Sequence, residues 1–229
     1  MKKAGLIGGM SWESTLPYYK IINEVINQRL GRLYSADCIL HSINFEDIES
    51  TISKGNWTIS NMLLAEAAKK LEIAGADFIA ICSNTMHKCI PAIREKTDLP
   101  ILHIVDATAE SIKQRGISKA LLLGTRFTME ESFNKEKFKE RGIDIVVPDL
   151  EERQMIHDII FSELCKGIVT KESQEIYKQI IYNYCKSEDE GVILGCTEIG
   201  LLIQQNFIEV PVFDTTKIHA EKIATYMIE

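Results

Sequence analysis

Short apolar runs alternate with amphipathic stretches along the whole chain. Residues 3–7 form the first run, and Gly8-Gly9 closes it in a tight turn where backbone N–H groups can approach a ligand. Ser11 is placed to cap a helix over 12–30. Glu13 and Ser14 fall in its first turn, and Leu16, Tyr19, Ile22 and Ile26 recur at helical spacing. A second strand is expected over 39–43, then loop and short helix over 45–57. The next helix, over 60–74, carries Leu63, Leu64, Ala67, Ala68 and Leu71 on one face and ends at Gly75. A strand over 77–81 and a helix over 86–96 follow. Asp98-Leu99-Pro100 breaks that helix before a strand over 101–104. Apolar strands alternating with helices in this way predict parallel α/β architecture.

The pattern then restarts. Lys119-Ala120-Leu121-Leu122-Leu123-Gly124-Thr125-Arg126 has the form of Lys3-Ala4-Gly5-Leu6-Ile7-Gly8-Gly9-Met10. The interval from Gly8 to Gly124 nearly equals that from Ser83 to Cys196. Two landmarks repeating at almost one offset predict a duplication. A strand over 144–147 and helices over 151–165 and 171–186 complete the second half. Pro211-Val212-Phe213-Asp214 then parallels Pro100-Ile101-Leu102-His103, and a last helix over 215–228 packs back on the first half. The expected fold is α/β: two similar parallel-sheet domains related by a pseudo-twofold, with the active site in the cleft between them. Residues 1–103 plus 215–229 form the first domain and 104–214 the second.

Composition narrows the partners. The 229 residues are 45% hydrophobic and 26% charged, ordinary for a soluble globular protein. A net charge of -7 without blocks of like charge disfavours nucleic acid, while a local pocket can still take a small anion. No apolar run approaches the roughly 20 residues of a membrane span, and a first strand explains residues 1–10 better than a signal peptide. The 6 cysteines are scattered without a C-x-x-C pair, so neither a metal site nor a disulfide framework is expected, and reduced thiols suggest the cytoplasm. The G-x-G-x-x-G dinucleotide fingerprint is absent.

Candidate chemistry lies at two strand ends. Gly191-Val192-Ile193-Leu194-Gly195 runs into Cys196-Thr197-Glu198, and Phe78-Ile79-Ala80-Ile81 runs into Cys82-Ser83-Asn84-Thr85. Working residues of open α/β sheets sit just past the carboxyl ends of strands. Duplicated halves would present two such ends to opposite sides of one ligand, as racemisation needs: one group removes a proton from one face of a tetrahedral carbon and another returns a proton to the other. A thiolate can be such a base, and a helix beginning at Cys196 would lower its pKa. Gly8-Gly9, Asn84-Thr85, Gly124-Thr125 and Thr197 could supply donors to the carboxylate of the carbanion.

Gly8-Gly9-Met10-Ser11-Trp12-Glu13-Ser14-Thr15, Ser83-Asn84-Thr85, Leu123-Gly124-Thr125 and Gly195-Cys196-Thr197-Glu198 together resemble the aspartate/glutamate racemase superfamily. The likeness is strongest to its aspartate racemase branch, with the L-aspartate/glutamate-specific and broad-specificity enzymes. It spans nearly the whole chain, including Met86-His87-Lys88 and Val212-Phe213-Asp214-Thr215. The resemblance implies a cofactor-independent amino-acid racemase, commonly a homodimer, acting on a small anionic amino acid. Ser83 and Cys196 would be catalytic, and Met10 (through its backbone), Ser83, Asn84, Thr85, Thr125, Thr197 and Glu198 would bind substrate. The family's first motif reads Cys-Asn-Thr, whereas here Ser83 precedes Asn84-Thr85. Alternation along an extended chain turns Cys82 away from what Ser83 faces, which makes Cys82 a core residue. Glu198 could position the site or favour the following helix, and His87 is expected on a helix surface or just behind the reacting groups. Lys166 and Lys171 are weighed for a distal carboxylate but read better as surface lysines. Hydantoin racemase, maleate isomerase or arylmalonate decarboxylase activity is the enzymatic alternative, and a non-catalytic small-anion sensor the other.

Overall fold

The computed structural model describes residues 1–229. The chain divides into two compact units, Met1–Ile104 with His219–Glu229, and Val105–Ile218. The first contains β1 (Ala4–Gly8), α1 (Trp12–Leu30), β2 (Cys38–Ser42), α2 (Phe45–Ile52), α3 (Thr58–Ile73), β3 (Phe78–Ile81), α4 (Ile90–Arg94) and β4 (Ile101–Leu102). Then follow α5 (Ile104–Gln114), β5 (Lys119–Leu123), α6 (Arg126–Glu130), α7 (Ser132–Glu140), β6 (Asp144–Val146), α8 (Leu150–Ser162) and α9 (Lys171–Tyr184). The chain ends with β7 (Glu190–Leu194), α10 (Ile199–Leu202), β8 (Val212–Asp214) and α11 (Thr215–Ile228), whose later turns belong to the first unit. No helix is long and apolar enough to cross a membrane.

Each unit holds one four-stranded sheet, in the orders β2-β1-β3-β4 and β6-β5-β7-β8, with every pairing parallel. The order is the same in both, and in both the chain reverses direction across the sheet between the first and third strands. All residues of β1 and β7 are buried, because helices cover both faces of a parallel sheet. Side-chain parity divides the first core. Ile7, Ile79 and Ile81 pack with Leu64 and Leu71 of α3. Leu6, Phe78 and Ala80 pack with Tyr18, Ile22 and Ile26 of α1 and with Ile223 and Ala224 of α11. Cys82 continues the even series in that second cluster and is fully buried.

Several expected elements change at their ends. The strand over 101–104 is only Ile101–Leu102, because α5 begins at Ile104. The helix over 86–96 is a 3₁₀ turn, Thr85–Cys89, followed by α4. Pro91 explains the change: its ring would clash with the carbonyl four residues back, so regular α-helix starts there rather than running through it. On α1 the buried stripe is Tyr18, Ile22 and Ile26, while Leu16 and Tyr19 are exposed. The helix over 60–74 buries Leu64, Ala67, Ala68 and Leu71, and Gly75 follows it at φ 88°.

Candidate active site

The two strand ends are built alike. Ser83 lies two residues past β3 and Cys196 two residues past β7, the equivalent strands of the two sheets. The neighbouring strands, β1 and β5, end at Gly8-Gly9 and Gly124-Thr125. In each unit these are the strands between which the sheet order reverses, the place where open α/β sheets leave a crevice for ligands.

Backbone hydrogen bonds and glycine geometry fix the ends of β1 and β3. Cys82 N–H donates to the Ile7 carbonyl at 2.8 Å, tying the chain before Ser83 to β1. Gly9 has φ 89°, and a Cβ there would lie 2.2 Å from the Ile43 carbonyl oxygen, so only glycine fits. Its N–H donates to Thr15 Oγ1 at 2.8 Å. Ser11 caps α1 in a reciprocal box with Ser14. The Met10 side chain is buried in the core with Ile43 and Ile48. Asn84 and Thr85 are half-buried at the start of the 3₁₀ turn.

Ser83 and Cys82 have different fates. Ser83 is half-buried, whereas Cys82 is enclosed and its thiol is pushed up by burial, then by Cys38. His87 is not a surface residue: it is 3% exposed. Ile104 N–H donates to its Nε2 at 3.1 Å, so Nδ1 carries the proton and donates to the Ser83 carbonyl at 2.7 Å. His103 packs on it, ring centroids 4.4 Å apart. His219, also buried, has the opposite tautomer. Its Nε2–H donates to the Leu102 carbonyl at 2.9 Å, and its Nδ1 accepts from Tyr18 Oη at 3.0 Å. Burial, then His87, holds its pKa down to about 3.

In the second unit Gly195 N–H donates to the Leu123 carbonyl at 2.7 Å, and a Cβ on Gly195 would meet that oxygen at 2.9 Å. Cys196 is half-buried and packs against the cluster containing Leu123, Tyr177 and Leu194. Its Sγ donates to Glu198 Oε2 at 2.9 Å, and Thr197 Oγ1 donates to the same oxygen at 2.7 Å. The expected lowering of the Cys196 pKa is therefore corrected. The thiol is pushed well above its ordinary value by burial, then by the charge and hydrogen bond of Glu198. The helix that was to lower it, α10, has four residues and starts three positions later. Glu198, weighed for positioning the site or for favouring the following helix, touches the thiol and sits at the N-cap position of α10 without a side-chain cap hydrogen bond.

Thr125 caps α6, its Oγ1 accepting from Thr128 N–H at 3.4 Å, much as Ser11 does for α1. Lys166 and Lys171 are exposed. A groove lined by Arg126, Phe127, Glu130, Leu150 and Gln154 contains neither Cys196 nor Glu198. What residue order did not reveal is the pair of bonds on His87; its four-residue spacing from Ser83 was the available signal. The thiol–carboxylate contact two positions apart was visible only as one of two alternatives.

Comparison with known proteins fixes the family. Residues 7–223 match the Asp/Glu/Hydantoin racemase family, and the chain belongs to it. The broad specificity amino-acid racemase RacX of Bacillus subtilis (strain 168) is 23% identical over 97% of each chain. The crystal structure of an aspartate racemase homologue from Pyrococcus horikoshii OT3 superposes with a TM-score of 0.88 at 39% identity, covering 100% of both chains. A Yersinia pestis structure assigned provisionally as an Asp/Glu racemase reaches 0.93 at 46% identity over 100% of both.

Proposed function

We propose that this member of the Asp/Glu/Hydantoin racemase family, an amino-acid racemase, interconverts L and D enantiomers of aspartate or glutamate using Ser83 and Cys196 as its two proton carriers. The observation that carries the assignment is positional: the two residues occupy the same place past equivalent strands of two sheets with one strand order. The RacX and aspartate racemase homologue relationships support an amino-acid substrate.

In this mechanism Glu198 takes the proton from Cys196, leaving a thiolate beside a neutral carboxylic acid without adding net charge. The thiolate removes the α-proton from one face and Ser83 Oγ–H delivers a proton to the other; the serine oxygen then takes a proton from solvent as Glu198 gives its own up to solvent, which restores both groups. The reverse direction exchanges these roles. The backbone N–H groups of Met10 and Thr197, with Asn84, Thr85 and Thr125, meet the substrate carboxylate as negative charge builds on it. Enantiomers have equal free energy in water, so kcat/KM is equal in the two directions. The unequal basicity of serine and cysteine falls on kcat and KM separately. The same reading makes the enzyme a cytoplasmic homodimer that works without a cofactor.

The test is α-hydrogen exchange in deuterium oxide with no pyridoxal phosphate added. Exchange and racemisation of L-aspartate or L-glutamate are expected, and both are lost in Cys196→Ala. Absence of exchange across aspartate, glutamate and a panel of other amino acids would overturn the assignment. Turnover of maleate or an arylmalonate in its place would move the enzyme to an isomerase or decarboxylase reaction.

A further inference from the structure

We infer that His87 is a positioning residue for Ser83, holding the serine's backbone through one ring nitrogen and the start of α5 through the other. The inference rests on the proposed role of Ser83 as a proton carrier.

The imidazole has no proton to trade. Ile104 N–H occupies the Nε2 lone pair, and the Nδ1 proton is committed to the Ser83 carbonyl. It is almost wholly enclosed, with the His103 ring against it. Such a ring is a brace rather than an acid or base. Ile104 is the first residue of α5, so its N–H is one of the donors a helix leaves without an internal acceptor. His87 satisfies that donor and, with the same ring, fixes the Ser83 carbonyl. The orientation of this peptide unit sets where Cβ and Oγ of Ser83 point. A serine is a weak proton carrier whose reach is one short side chain, so its placement governs its rate more than it would for a larger base.

Two substitutions separate the bonds. In His87→Asn the side-chain amide stands near the Nδ1 position and can still donate to the Ser83 carbonyl. In His87→Gln the amide oxygen reaches toward the Nε2 position, keeps an acceptor for Ile104 N–H, and gives up the serine contact. The readout is elimination of HCl from each enantiomer of threo-3-chloroaspartate, which needs one base only. That base removes the α-proton, the electron pair forms the Cα–Cβ double bond, and chloride leaves. The enamine then tautomerises and hydrolyses to oxaloacetate and ammonium. Ser83→Ala identifies the enantiomer that depends on Ser83, and Cys196→Ala the other.

In His87→Gln, elimination from the Ser83-dependent enantiomer should fall about 10- to 100-fold, as expected for a displacement near 1 Å. The other enantiomer should stay within about twofold, and His87→Asn should remain within about threefold of wild type for both. Equal loss for both enantiomers, or equal loss in the two variants, overturns the inference. Should the glutamine variant not fold, the wild-type ¹⁵N imidazole signals decide: an Nδ1–H tautomer is expected at His87, and an Nε2–H tautomer refutes it. A wild-type enzyme that exchanges no α-hydrogen counts against the racemase reading instead.

Discussion

Replacing Glu198 with glutamine removes one negative charge from beside the Cys196 sulfur and leaves an oxygen able to accept its hydrogen. The sulfur lies 2.9 Å from Oε2. Two unit charges at that separation repel by about 1.4 kcal/mol at the dielectric constant of water, and by about 6 kcal/mol at an effective value near 20. Cys196 is half-buried, so solvent screening places the effect toward the lower figure. The Cys196 thiol of Glu198→Gln should therefore lose its proton at lower pH than in the wild type, because the charge that helps to raise its pKa is gone. The assay is alkylation by iodoacetamide across a pH series, with the Cys196 peptide followed by mass spectrometry because Cys165 is exposed and will react as well. A raised pKa keeps the thiol protonated until higher pH, so the variant's alkylation curve must move to lower pH. Racemisation should move the other way, falling by about 10²- to 10⁴-fold, because glutamine cannot accept the thiol proton. An unmoved or higher alkylation midpoint would refute the electrostatic argument. A shifted midpoint with full turnover would remove Glu198 from the proton path.

Two other outcomes test neighbouring features. Cys82→Ala should cost about 1 kcal/mol of stability from lost burial while changing α-exchange by less than about twofold; a folded variant without exchange would return Cys82 to the chemistry. Burial raises the thiols of Cys89 to about 12 and Cys185 to about 11, and it also raises Cys82. Since the unfolded thiols ionise near pH 8.5, the folded chain binds more protons above that pH. The urea midpoint should fall from about pH 8 to about pH 10, and a rising midpoint would contradict that sign.

The order of residues was enough for the alternation of apolar strands and helices, for the repeat, and for the parity of the chain around Cys82. Each is written in a local period: two along a strand, about 3.6 along a helix, and a recurrence of strand-glycine pairs. Phe78, Ala80 and Cys82 share one face because an extended chain has no other way to place them. The short motifs at Ser83 and Cys196 carried the resemblance that the comparisons turned into a family. Tertiary structure decided the protonation chemistry. Sequence placed Cys196 at a helix start and so expected an easily ionised thiol. The fold instead half-buries the residue and points the Glu198 carboxylate at its sulfur, and desolvation with like charge outweighs a four-residue helix. His87 could be seen at its distance from Ser83, but not that Ile104 would claim its second nitrogen. That depends on where β4 stops and α5 begins, which is fixed by packing and not by the local run of residues.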